Sequence, residues 1–141
     1  MDFTFDLSQG LFSSAGVDAG TQLLLKVFSR VLDEDNAAGK SPPRRVLDSG
    51  CGAGIIGICA AAAILRLARN SVLARCQDRD ELARLVTLHN ARLNNIPPAR
   101  LKPVLSRCSP GAAAGTSFCP IFPQRRESPC WKILSAVRRA C

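Results

Sequence analysis

Between residues 44 and 58 the chain reads RRVLDSGCGAGIIGI: an apolar run closed by an acid, Asp48, with Gly50, Gly52, Gly54 and Gly57 close behind. Glycine lets the backbone turn tightly and lets another molecule approach the main chain. A helix that starts at such a turn offers N–H groups with no partner inside the helix. A strand, a glycine turn and a helix in this order therefore make a binding device, and the question is what it holds.

The spacing alone admits two ligand classes. Residues 52–57 fit G-x-G-x-x-G, the dinucleotide fingerprint, and Asp78 lies about twenty residues on, where a ribose-binding acid belongs. An NAD-dependent oxidoreductase is thus one candidate. Asp48 weighs against it, because a carboxylate beside a pyrophosphate is repelled, whereas a carboxylate beside a cationic ligand is attracted. S-adenosyl-L-methionine carries a sulfonium and an ammonium group and no phosphate.

The elements that would position these residues follow from periodicity. Residues 3–8 (FTFDLS) alternate apolar and polar side chains and predict a short strand. Leu23, Leu24, Val27, Phe28, Val31 and Leu32 recur at helical spacing, so residues 17–34 predict an amphipathic helix that Asp18 or Thr21 can cap. After a proline-containing loop, 45–48 predicts a buried strand, 53–67 a helix and 71–76 a second strand. Residues 80–93 predict a helix with Leu82, Leu85, Val86 and His89 on one side, and 101–105 a third strand. Strand, helix, strand, helix, strand implies an α/β fold: a doubly wound parallel sheet with helices on both faces.

On these residues the chain resembles a known family. VLDSGCGAGIIGI looks like the first motif of class I S-adenosylmethionine-dependent methyltransferases, which have a Rossmann-like sheet. GLFSSAGVDAGTQLLLK (10–26) resembles the lead-in of the methyltransferase small-domain family, and QDRDELARLVTLHNARLNN (77–95) its acid-plus-helix segment. Some members of that family methylate guanine N2 in ribosomal RNA. The resemblance implies S-adenosyl-L-methionine as cofactor and ribosomal RNA as the partner methylated, at a base nitrogen. Asp48, Gly50, Cys51, Gly52 and Gly54 match the turn under the methionine part of the cofactor, and Asp78 the acid that accepts from the ribose hydroxyls. Asp18, Gly20 and Thr21 match the lead-in helix, which packs near the cofactor. Ser49 and Cys76 depart from the family's usual residues at their positions.

Plainer roles stand beside these. Asp80 and Asp78 are both suited to a helix start, and Asp18 to a cap. Cys51 and Cys59 read as small packing residues, and His89 as packing or surface. Asn90 and Asn94 are suited to capping or ending their helix and carry no assigned chemistry.

Composition narrows the classes further. Seven cysteines without a C-x-x-C pair, and a single histidine, speak against a zinc site, so no metal is expected. No uncharged apolar run is long enough for a membrane span, and the acidic start MDFTFDLSQG lacks the basic region of a signal peptide. The expectation is a cytoplasmic protein with free thiols.

The net charge of +8 is concentrated at the end: residues 107–141 hold six Arg and Lys against Glu127 alone. The family's Asn-x-Pro motif, which aims the acceptor nitrogen, has no match after Leu105. With codons started one base earlier from Thr116, the tail can encode DLILSNIPAKAGEPVLEDF, an apolar strand, Asn-Ile-Pro and a helix. Phe118-Cys119 and Cys130-Trp131 are then forced to Leu, and Trp131-Lys132 to Glu. The expectation is two parts: 1–106, the N-terminal part of a methyltransferase domain, incomplete after its third strand, and 107–141, a divergent basic tail, frameshifted or disordered. The chain as written is then an inactive methyltransferase. The rival without catalysis is a basic RNA- or partner-binding relic of such an enzyme.

Overall fold

The computed structural model describes residues 2–11, 16–68 and 72–106. The tail at 107–141, and residues 12–15 of the lead-in, lie outside the described residues. The elements are helix α1 (Ala19–Ala37), strand β1 (Arg45–Ser49), helix α2 (Ile55–Leu67), strand β2 (Leu73–Asp78), helix α3 (Glu81–Leu93) and strand β3 (Leu101–Leu105).

The strands form a parallel sheet in the order β1-β2-β3. The register sets Asp48 beside Cys76 and Cys76 beside Pro103. Side chains alternate along a strand, so Val46, Asp48, Ala74, Cys76 and Leu101 share one face. α2 and α3 pack on that face and against each other. Ile58, Ala61 and Ala62 of α2 close over Ala74 and Cys76, joined by Ala91, Ile96 and Leu101. The alanines let the helix approach the sheet closely, as an apolar helix in a core does. α1 packs against α2 alone among the elements, with Leu32 meeting Ile64 and Val72. On the other face, Arg45, Arg75 and Lys102 are exposed and Leu47, Leu73 and Val104 half-buried. Among the described residues no helix covers them.

Three expectations need correction, and the burial of α3 adds a further finding. Residues 3–8 form no strand. They run extended along α3, and the side-chain amides of Asn90 and Asn94, not a sheet edge, take their backbone groups. α2 starts at Ile55, two residues late, because Gly52 and Gly54 hold left-handed φ angles of 51° and 80°. β2 runs on to Asp78, because its pairing continues through Ser49–Gln77 and Asp78–Leu105. In α3 the leucine side is not the buried one. Leu82, Leu85 and Leu93 are 37%, 49% and 41% exposed, while Ala83, Thr87, Asn90 and Ala91 are buried.

Candidate functional site

The sequence after β1 turns because glycines allow it to. Gly50, Gly52 and Gly54 all lie at positive φ, where an L side chain is strained. The N–H groups of Gly50 and Cys51 both donate to the Gln77 carbonyl, at 2.8 and 3.2 Å, which ties the turn to the end of β2. At Gly54 a Cβ would lie 2.7 Å from Thr87 Cγ2, so the turn is pressed against α3. At Gly50 and Gly52 a Cβ would meet nothing within 4 Å. The turn is therefore walled behind and open in front.

Two carboxylates brace it. Asp48, at the end of β1, is 6% exposed, and its Oδ2 accepts the Gly57 N–H at 2.9 Å. Gly57 lies in the first turn of α2, so this is one of the helix's unpaired donors. Loss of water raises the Asp48 carboxyl to about 6, with the Gly57 N–H opposing the rise and the charge of Asp78 adding to it. Glycine at 57 leaves room that a side chain would take: a Cβ there would collide with Cys76 Sγ and press on Asp48 Oδ2. Asp78, at the end of β2, is half-buried. Its Oδ2 accepts the Gly52 N–H at 3.0 Å and its Oδ1 the Asp80 N–H at 3.1 Å. Asp80 itself is the N-cap of α3, accepting from Leu82 N–H at 2.9 Å.

The rear wall is made by α3. Thr87 Oγ1 donates to the Gly52 carbonyl at 3.1 Å and lies 3.5 Å from Cys51 Sγ. Asn90 Nδ2 donates to the Ala53 carbonyl at 2.9 Å. Burial raises the thiols, Cys51 to about 12 and Cys59 to about 11, with Cys76 moved upward as well. Thiols that stay protonated are poor nucleophiles, so the cysteines here serve as packing.

A strand-end acid, a left-handed glycine turn on a helix start and a second strand-end acid make a recognisable arrangement, and comparison with known proteins bears on its kind. Residues 2–103 match the family model "Methyltransferase small domain". The chain belongs to that family. It is also similar to proteins named ribosomal RNA small subunit methyltransferase C from Actinobacillus pleuropneumoniae, among them those of serotype 5b (strain L20) and serotype 3 (strain JL03). Each is 53% identical over 47 residues, a stretch that spans 33% of this chain and 12% of the relative. The chain thus matches only a small part of those relatives' length.

Within this methyltransferase small domain, the fold brings Asp48, Gly50, Cys51, Gly52, Gly54 and Asp78 together at the carboxyl ends of β1 and β2. Asp18, Gly20 and Thr21 sit instead at the start of α1. Asp18 is exposed, and it caps the helix by accepting from the Thr21 N–H at 2.9 Å and the Thr21 hydroxyl at 2.7 Å. The Thr21 hydroxyl and then its N–H hold the Asp18 carboxyl below the usual carboxylate value. His89 is exposed and pairs with Asp6, 2.6 Å away. Among the described residues no cluster of three metal-ligating side chains exists, and no helix is long and apolar enough to cross a membrane.

Thr87 is a contributor that the sequence reading passed over, and Asn90, read there only as a residue to cap or end its helix, is instead buried and holds the turn. Their signal was present: Thr87, Asn90 and Asn94 fall at i, i+3 and i+7, a polar stripe on one side of a helix.

Proposed function

We propose that this chain carries the S-adenosyl-L-methionine-binding part of a methyltransferase whose acceptor is a base nitrogen of ribosomal RNA. The observation that carries the cofactor choice is the hydrogen bond from Gly57 to Asp48. A dinucleotide site presents the first N–H groups of its helix to a pyrophosphate. Here one of those donors is engaged from within by a carboxylate, and a second carboxylate, Asp78, sits under Gly52. Asp48 beside the turn repels phosphate and attracts a cation, whereas a ribose-binding acid at Asp78 suits either ligand. Asp78 has a remaining lone pair on each oxygen, which suits it to accept from a pair of ribose hydroxyls. The open side of Gly50 and Gly52 leaves main chain for the methionine portion, with Cys51 and Gly54 holding the turn's shape. Asp18, Gly20 and Thr21 contribute by fixing where α1 begins.

The cofactor, when bound, supplies a methyl group on a sulfonium. The chain's own part is to hold and orient it, which is where proximity catalysis begins. Ribosomal RNA as acceptor rests on the names of the relatives and on the family, and a cytoplasmic setting goes with that substrate. The acceptor-aiming Asn-x-Pro belongs, in this reading, to the other frame of 107–141, so the chain as written binds cofactor without transferring the methyl.

Calorimetric titration of the full chain tests the cofactor. The expected outcome is one-site binding of S-adenosyl-L-methionine and none of NAD. Asp78→Ala should weaken it about 10- to 100-fold, the usual cost of removing a charged acceptor. Binding of NAD in its place, or salt-sensitive RNA binding with no cofactor binding, would overturn the assignment.

A further inference from the structure

Asn90 is completely buried, yet its amide is fully engaged. Oδ1 accepts the Asp6 N–H at 2.9 Å, and Nδ2 donates to the Asp6 carbonyl at 3.0 Å and to the Ala53 carbonyl at 2.9 Å. One donor and two carbonyls allow a single orientation of the amide, since a flip would set Oδ1 against both carbonyls. The same side chain therefore holds two segments that are far apart in sequence: the extended strap at residues 2–8 and the glycine turn. One turn along α3, Asn94 repeats the strap half of the motif with Thr4, at 2.9 and 2.7 Å, and donates to the Asn90 carbonyl at 2.8 Å. Nothing in that second clamp touches the turn. Phe3 and Phe5 anchor the strap by packing on the core.

We propose that Asn90 is a positioning residue that couples the strap to the glycine turn, so that the turn holds its ligand-ready shape only when the strap is seated on α3. If the strap lifts, Asn90 loses two of its three partners, and a buried amide in that state costs enough to move. Its movement releases the Ala53 carbonyl, between the two left-handed glycines Gly52 and Gly54. This deepens the proposed cofactor site, and only the second arm of the test rests on that reading.

The first arm is amide hydrogen exchange on the full chain without cofactor. Asp6→Pro removes the N–H that Asn90 accepts and keeps the carbonyl to which Asn90 donates. Asp6→Ala keeps that N–H and controls for the lost His89 pair. Asn90→Leu preserves volume and removes all three bonds. Exchange at the Gly52 and Gly57 N–H groups should speed up about five- to tenfold in Asp6→Pro and Asn90→Leu, one hydrogen bond's equivalent. It should change less than about twofold in Asp6→Ala, by the scale of surface substitutions. Exchange at Ala74, in the core of β2, should hold steady in all three. In the double variant the two effects should not add, because they act through one side chain.

Turn exchange that ignores Asp6→Pro, or effects that add, would overturn the coupling. Should Asn90→Leu not fold, Asp6→Pro against Asp6→Ala decides alone. In the second arm, S-adenosyl-L-methionine affinity should fall in the same order. A turn that responds in a chain that binds no S-adenosyl-L-methionine keeps the coupling and rejects the cofactor.

Discussion

Asp48 shows how much a single position depends on its surroundings. Its parity with Val46 was readable in the sequence: two residues apart on a strand, both face inward. That the acid would turn into the start of α2 was not, because the partner, Gly57, is fixed only once β1 and α2 are packed. The carboxyl is raised from 3.8 to about 6. A raised acid favours the folded state when protonated, so its contribution is full below pH 4 and lost as pH climbs through about 6. The shift corresponds to about 3 kcal/mol at most. Wild-type stability relative to Asp48→Asn should therefore fall by about 2–3 kcal/mol from pH 4 to pH 7, read from urea unfolding of both chains. A flat difference across that range would show that Asp48 is not titrating in the fold. Gly57→Ala should cost about 1–3 kcal/mol by the same measurement, since the new methyl overlaps Sγ of the fully buried Cys76.

At the scale of elements, α3 is where the sequence was hardest to read. Hydrophobic spacing placed Leu82, Leu85 and Val86 on one stripe, and a helix packed only on a sheet would bury it. This helix also backs a glycine turn and seats a strap. Both present unpaired carbonyls and demand close approach, so small and polar side chains win the inner face. The expected consequence is an inverted mutational pattern. Leu93→Lys should change stability by less than about 0.5 kcal/mol, while Ala83→Leu, at a fully buried position, should cost about 1–3 kcal/mol. Thermal or urea melts of the two variants would reverse that order if the leucine side were the packed one. Strands β1 to β3 were legible for the opposite reason: short apolar runs between helices have little other use, and only their ends moved.

At the scale of the molecule, strand–helix alternation was enough to foresee a parallel α/β sheet, whereas the cation pattern on its other face needed the register. Arg75 and Lys102 are direct neighbours across β2 and β3, with Arg45 on the same face. Like charges in such a pair destabilise a sheet. Lys102→Glu should therefore stabilise the chain by about 0.5–1 kcal/mol, a gain that shrinks in high salt. Activity belongs to this scale too. In line with the proposed function, the chain as written should transfer no radiolabelled methyl to ribosomal RNA. Transfer by it would return the tail to the status of a working part. The seating of the strap has one more consequence. Asn90 and Asn94 read only main-chain N–H and C=O groups, so their seat does not check whose backbone it holds. In a concentrated solution two copies can trade N-terminal segments, each completing the other's turn, and a dimer can arise by reciprocal exchange without any new interface.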